Sequence, residues 1–295
     1  MKARVLTVFL SLLLGVPAAA QASGLGTLES RVSVAGDVAC ENPASAPGCL
    51  AANTASLIQG LNPGLVLAPG DLVYDSGTFA RFQSGYDPTW GQFKAKTFPA
   101  PGNHEYNDPG AAGYKQYWGA QALSNGHTWR SKTRGSWKLI ALDSNCTQVG
   151  GCSASSPQGQ WLASQLATAP RCTIIFWHHP RVSSGPHGDN TSMSQLWQMA
   201  VNKKVEMVLT GHDHDYERFA PLGGNALPAS RGTREFVVGT GGKTFYGFSI
   251  PKTGSQKRIS DTAGVLQLNL YRYGYAWSFR DTANHSLDQG SSSCH

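Results

Sequence analysis

The chain has 295 residues, 40% of them hydrophobic and 14% charged, with a formal net charge of +6. That length suits one large domain or two small ones. The basic residues are scattered, Lys203-Lys204 and Lys257-Arg258 being the densest pairs, so the charge reads as a solvated surface that favours anionic substrates rather than as a groove for a stable nucleic acid partner.

The start, Met1-Lys2-Ala3-Arg4, is basic, the run from Val5 to Val16 is apolar, and Ala20-Gln21-Ala22 is a small-residue cleavage pattern. Together they predict a secretory signal peptide over 1–22 and an exported domain over 23–295. The apolar run is too short for a membrane span, and no later segment is long enough for one. Six cysteines in an exported chain predict disulfides. Closeness in sequence favours Cys40 with Cys49 and Cys146 with Cys152, which leaves Cys172 for Cys294. No Cys-x-x-Cys spacing supports a thiolate metal site.

Arg31 to Gly36 reads as a strand that ends at Asp37, and a helical stretch follows around Ala51 to Gln59. The apolar run Leu65-Val66-Leu67-Ala68 reads as a short buried strand ending at Gly70-Asp71, with Tyr74 three residues on. A segment rich in glycine and aromatics leads to Thr97–Gly102 and then Asn103-His104-Glu105. Trp137 to Leu142 is another strand. Ser156 and Pro157 open a helix as N-cap and first-turn residue. Cys172 to Trp177 is an apolar strand ending at His178-His179-Pro180. Met193 to Val201 looks helical. Val205 to Thr210 is a strand ending at Gly211-His212-Asp213-His214. The tail differs: Arg234–Val238, Val265–Tyr271 and Tyr275–Arg280 read as strands joined by turns.

This alternation predicts an α/β core, and in open α/β sheets the sites form beyond the carboxyl ends of the strands. Five predicted strands end in Asp37, Asp71, Asn103, His178 and His212, all residue types that ligate metals. Oxygen and imidazole donors without thiolate suit Zn, Fe or Mn. Two ions bridged by a carboxylate suit phosphate-ester hydrolysis. Gly239-Thr240-Gly241-Gly242 lacks the Lys-Ser/Thr of a phosphate-binding loop and reads as a sharp turn.

Gly36-Asp37, Gly70-Asp71-Leu72-Val73-Tyr74, Gly102-Asn103-His104-Glu105, His178-His179-Pro180 and Gly211-His212-Asp213-His214 appear in an order that resembles the calcineurin-like metallophosphoesterases. Within them the chain is most similar to purple acid phosphatases and their secreted bacterial relatives. The resemblance implies a four-layer αββα sandwich. It also implies that Asp37, Tyr74 and His214 hold a first metal, that Asn103, His178 and His212 hold a second, and that Asp71 bridges them. Most of the superfamily has a His two residues after the first Asp, where this chain has Ala39. The acid phosphatases instead have a Tyr three residues after the bridging Asp, where Tyr74 stands. They usually have Gly at the position of Ala39. The implied cofactors are two metal ions, Fe(III) plus Fe, Zn or Mn(II). His104 resembles the His that meets the phosphate and protonates the leaving group. His187, nine residues after His178, resembles an outer His of the site. His179 reads as structural support, Asp213 as pointing away from the metals, and Tyr216-Glu217-Arg218 as support behind the ligands. His127, His285 and His295 match nothing. The implied activity is hydrolysis of phosphate monoesters on small phosphorylated substrates, by direct attack of a metal-bound hydroxide. The alternatives are a phosphodiesterase or nucleotide hydrolase with the same metals, and a metal-free binding protein on the same fold.

Overall fold

The computed structural model describes residues 24–40 and 48–295, so the leader read at 1–22 lies outside it. Its strands are β1 (Leu28–Val34), β2 (Leu65–Pro69), β3 (Thr97–Ala100), β4 (Arg130–Arg134), β5 (Trp137–Ala141), β6 (Cys172–Phe176), β7 (Met207–Thr210), β8 (Tyr216–Leu222), β9 (Thr233–Val238), β10 (Ser255–Ile259), β11 (Gly264–Tyr271), β12 (Gly274–Asp281) and β13 (Ser286–Ser293). The longer helices are α1 (Ala51–Leu61), α2 (Ala112–Trp118), α3 (Pro157–Ala167) and α4 (Ser194–Asn202).

The strands form two sheets, in the orders β13-β12-β11-β1-β2-β3 and β10-β8-β9-β7-β6-β5-β4. β1, β2 and β3 run parallel, as do β5, β6, β7 and β9. Every residue of β2 and β6 is buried, as expected of unbroken apolar strands covered on both faces. From Leu266 onward β11 alternates buried Leu with half-exposed Gln267 and Asn269, the pattern of an antiparallel strand with one wet face. That change of pattern is why the tail reads as strands alone.

The two sheets pack face to face. Phe98 of β3 meets Phe176 of β6 edge-on with ring centres 5.2 Å apart, and Phe236 of β9 meets Trp277 of β12 at 5.8 Å. The outer face of the second sheet (Ile140, Ile175, Val208, Val237) packs on Leu162 of α3 and on Leu196 and Trp197 of α4. α1 covers the first sheet with Ala55 and Ile58. Beside it the helical segments on either side of β3, within 79–96 and 105–118, pack their aromatics together, Phe82 lying parallel to Tyr117 at 4.6 Å. The layers are therefore helix, sheet, sheet, helix. α3 begins as its sequence predicts: the Ser156 hydroxyl accepts the Gly159 N–H at 3.1 Å, with Pro157 at the first helical position.

All six cysteines pair, as Cys40–Cys49, Cys146–Cys152 and Cys172–Cys294. The last bond joins β6 of one sheet to the segment after β13 of the other. The Arg171 Nε donates to the His295 carbonyl at 2.8 Å, and Glu206 accepts the His295 N–H at 3.0 Å, closing the same clasp. Among the described residues no helix is long and apolar enough to cross a membrane.

Two outcomes follow for this clasp. Cys294→Ser should lower the unfolding free energy by about 2–4 kcal/mol, the usual worth of a native disulfide, and a denaturant midpoint equal to that of the parent would refute it. Burial lifts the Glu206 carboxyl to about 8 from its ordinary 4.5. An acid whose folded pKa is raised contributes stability that is complete below its unfolded pKa and lost as pH rises through the folded one. Glu206→Gln should therefore gain on the parent between pH 4.5 and 8. Melting curves at pH 5 and pH 9 with the same offset would contradict this.

Candidate metal centre

The predicted site residues converge, each two or three residues beyond a strand: Asp37 after β1, Asp71 after β2, Asn103 after β3, His178 after β6 and His212 after β7. Both sheets thus open their carboxyl ends onto one place. Asp37, Asp71 and His212 have positive φ (59°, 50° and 72°), a region that few non-glycine residues occupy and that often marks a functional site. Two glycines make room. A Cβ on Gly70 would lie 2.6 Å from the His178 Nδ1, and one on Gly102 would lie 2.1 Å from the Asp71 Oδ1.

Two donor groups meet at Asp71. In the first, the Tyr74 hydroxyl lies 2.7 Å from the Asp37 Oδ1 and 3.0 Å from the His214 Nε2. In the second, the His178 Nε2 lies 3.1 Å from the Asn103 Oδ1. The Asp71 Oδ2 is 3.2 Å from the Tyr74 hydroxyl and 3.2 Å from the His178 Nε2, so one carboxylate reaches both groups. The ring of His212 stands 5.0 Å from that of His178. Asp37, Asp71 and His178 offer ligand atoms within 4.8 Å of one another, and so do His178, His179 and His212.

The protons on these rings decide what the site can hold. The His178 Nδ1 sits 2.9 Å from the Pro69 carbonyl and the His214 Nδ1 2.6 Å from that of Thr244. A carbonyl only accepts, so each Nδ1 carries the proton and each Nε2 of the neutral ring presents a lone pair. For His178 that lone pair faces the oxygens of Asn103 and Asp71. Acceptor facing acceptor is repulsive unless a proton or a cation lies between. Burial lowers the His178 imidazole, but the Asp71 carboxylate overrides it and lifts it to about 9. Burial raises Asp71 in turn, and His178 drags it below the usual carboxylate range. Burial and the Asp37 and Asp71 carboxylates push the Tyr74 phenol well above its ordinary value. A cation in each group satisfies all of these donors together, so the residues present fit two metal ions.

The supporting residues are fixed as firmly. Glu105, fully buried, accepts the N–H groups of Asp71 (2.9 Å), Leu72 (2.8 Å) and Gly102 (2.6 Å), pinning both metal-side loops. Burial and Asp71 push its carboxyl up to about 8. The sequence reading gave Glu105 no role, although it closes the Gly-Asn-His-Glu run. His104 donates from Nδ1 to the Asp75 carbonyl at 2.8 Å and turns Nε2 toward Asp71, 3.9 Å away, with its side chain 26% exposed. His187 joins the cluster: its ring is 4.1 Å from that of His212 and its Nδ1 2.8 Å from the Asp213 Oδ1. Asp213 spends its carboxylate on the Ser183 hydroxyl and on the N–H and Nδ1 of His187, and so orients His187. The loop carrying His187 hangs on two more buried carboxylates, Glu235 accepting the N–H of Arg181 and Val182 and Glu217 that of Ser184. Of Tyr216-Glu217-Arg218, only Glu217 supports the site. Tyr216 and Arg218 bond Asp288 of β13 instead.

His179 stands closer to the centre than its reading as structural support implies. Its Nδ1 is 2.7 Å from the Ser144 hydroxyl and its ring 4.4 Å from that of His212. Sequence reasoning also missed Lys243, whose Nζ lies 4.6 Å from the centre of the Tyr74 ring, and Tyr246, which stacks on His214 at 4.0 Å. Gly239–Gly242 is a turn packed on the Asp37 loop, with the Gly241 N–H on the Gly36 carbonyl at 2.9 Å. His127, His285 and His295 lie elsewhere, against Trp129, Asp281 and Glu206.

Residues 30–216 match the family model described as calcineurin-like phosphoesterase. The chain belongs to that family. It is 29% identical to the Mycobacterium tuberculosis protein Rv2577 over 230 residues, 63% of this chain and 43% of that one, so it spans less than half the length of that relative. Among solved structures, this phosphoesterase chain resembles the purple acid phosphatase PPD1 of yellow lupin (TM-score 0.74, 22% identity, 92% of this chain and 54% of that one). It also resembles GAP50, the anchor in the inner membrane complex of Plasmodium (TM-score 0.68, 16% identity, 91% and 90%). These likenesses establish the shared phosphoesterase fold.

Glu105→Ala should leave four backbone N–H groups, those of Asp71, Leu72, Val73 and Gly102, buried without this acceptor and loosen Asp71. Loss of such support typically weakens metal binding about 10–100-fold. Calorimetric titration of the metal-stripped variant would check this, and parental affinity would refute the positioning role.

Proposed function

We propose that residues 23–295 form one exported domain that hydrolyses phosphate monoesters with two bound metal ions. The observation that carries this reading is the convergence of the His178 Nε2, the Asn103 Oδ1 and the Asp71 Oδ2, beside the Asp37, Tyr74 and His214 group. Asp37, Tyr74 and His214 would hold the first ion, Asn103, His178 and His212 the second, and Asp71, within reach of both groups, would bridge them. The bound ions supply a nucleophile near neutral pH and neutralise the phosphoryl oxygens. Tyr74, buried between two carboxylates, gives up its proton only to a strongly charged ion, which supports Fe(III) in the first position with Fe, Zn or Mn(II) in the second. Three disulfides support an oxidising destination.

The chain's own groups divide the remaining work. His104, fixed through Nδ1, holds a proton at Nε2 for the departing oxygen. His187, fixed through Nδ1 by Asp213, turns Nε2 to the phosphoryl group. No Ser or Cys in the matched motifs stands as nucleophile, so water attacks phosphorus directly and inverts it. A phosphodiesterase or nucleotide hydrolase would share this centre. The intact set of seven donors speaks against a metal-free binding protein.

Metal analysis with an absorption spectrum tests the centre: two ions per chain, one of them iron, with a visible tyrosinate band, and loss of both ions in Asp71→Ala. His104→Ala should keep the ions and lose about 10²–10⁴-fold in rate, most with alkyl phosphates, which leave poorly. Faster turnover of bis(4-nitrophenyl) phosphate than of 4-nitrophenyl phosphate would favour the diesterase. Retention of configuration at a chiral phosphorus would defeat direct attack.

A further inference from the structure

A cavity of about 370 Å³ opens beside the donor cluster, sharing Asn103 and His179 with it. That is within the range of small-ligand clefts, about 300–1,000 Å³. Its remaining walls come from Tyr106, Asn107, the segment 144–148, Asn190 and Ser192. We propose, resting on the phosphatase reading above, that this cavity seats the leaving group and selects a neutral, polyhydroxylated one, such as a sugar or other polyol.

The argument is one of matching. No Lys, Arg, Asp or Glu lines the cavity. A charged leaving group would meet no counter-charge in these walls to replace the water it displaces. An apolar one would cover amides and hydroxyls that then lose their water partners, and a site built to hydrogen-bond rejects such an analogue strongly. A group rich in hydroxyls both donates and accepts, as these walls do. Among the described residues the Thr147, Gln148 and Ser192 side chains spend no hydrogen bond on the protein, so they are available to a ligand.

The walls are also preformed. Asp143, fully buried, accepts the Tyr106 hydroxyl at 2.6 Å and the Asn145 N–H and side-chain amide at 2.9 Å each. The Cys146–Cys152 bond closes the loop that presents Thr147 and Gln148. The Asn190 N–H is tied to the Pro180 carbonyl at 2.9 Å. Such pre-organisation is what lets weak neutral hydrogen bonds discriminate.

The test compares kcat/KM of the metal-loaded enzyme on glucose 6-phosphate, phosphoserine, decyl phosphate and 4-nitrophenyl phosphate. The parent should favour the sugar phosphate over phosphoserine and decyl phosphate at least tenfold. The double variant Thr147→Val, Gln148→Leu loses two neutral hydrogen bonds, which corresponds to about a tenfold change. Its ratio of sugar to aryl phosphate activity should therefore fall about tenfold, with metal content unchanged. A parent that favours phosphoserine or decyl phosphate overturns the proposal, and so does a double variant whose ratio does not move. If the parent cleaves 4-nitrophenyl phosphate without preferring the sugar ester, only this inference fails. If it cleaves none of the four esters, the phosphatase reading fails first and takes this one with it.

Discussion

Lone pairs that face each other are the constraint on which the rest of this structure depends. Two imidazoles donate from Nδ1 to backbone carbonyls and turn their Nε2 atoms toward carboxylates and a carbonyl oxygen. Left alone, such an arrangement must draw a proton or a cation between its acceptors, as the raised His178 imidazole shows. The fold holds it by over-determining each member: Gly70 and Gly102 let His178 and Asp71 approach, Glu105 grips the Asp71 loop, and three members accept left-handed backbone. Strain of this kind persists only where the surroundings leave no alternative.

The surroundings are unusually acidic for a chain of positive net charge. Asp37, Asp71, Asp213, Glu217 and Glu235 are all buried around the centre, and each spends itself on backbone or side-chain donors. Asp215 is the exception, buried with neither oxygen bonded. Burial and the neighbouring Asp213 push its carboxyl far up. Most basic residues are spread over the rest of the chain, although Lys243 reaches the Tyr74 ring and Arg130 and Lys138 are buried. Cations are drawn inward by the buried carboxylates, while the outer surface draws anions, and the two fields act at different depths.

Much of this was legible in the chain because the signals were local. β2 and β6 are continuous apolar runs, α3 announces itself with Ser156-Pro157, and the donors follow strand ends in sequence order. Closeness in sequence made Cys40–Cys49 and Cys146–Cys152 plausible without fixing the pairing, and the fold forms both together with Cys172–Cys294. The failures were also physical. β4, β10 and β13 are sheet edges with polar or charged sequences such as Ser255-Gln-Lys-Arg-Ile259, and an edge strand need not carry an apolar alternation. β8 contains Pro221 at a register shift, which masks its pattern. Lys243, Tyr246 and the grip of Glu105 depend on which loops meet in space, and no spacing in the sequence encodes that.

The position of β1 has a consequence for what counts as a working unit. Every proposed metal donor precedes Asp215, and the family match ends at residue 216. Yet β1, which ends just before Asp37, lies between β2 and β11, with Val34 opposite Leu266. β7, which ends just before His212, lies between β6 and β9. A fragment stopping where the donors stop would expose the flank of both strands and leave each with a single neighbour. The last eighty or so residues contribute no donor and still supply the walls that hold the donors still. The two ends of the chain must find each other before the centre exists, and pairings that far apart in sequence make for slow folding. The separable object is the paired sheets, and the ligand-bearing segment is not one.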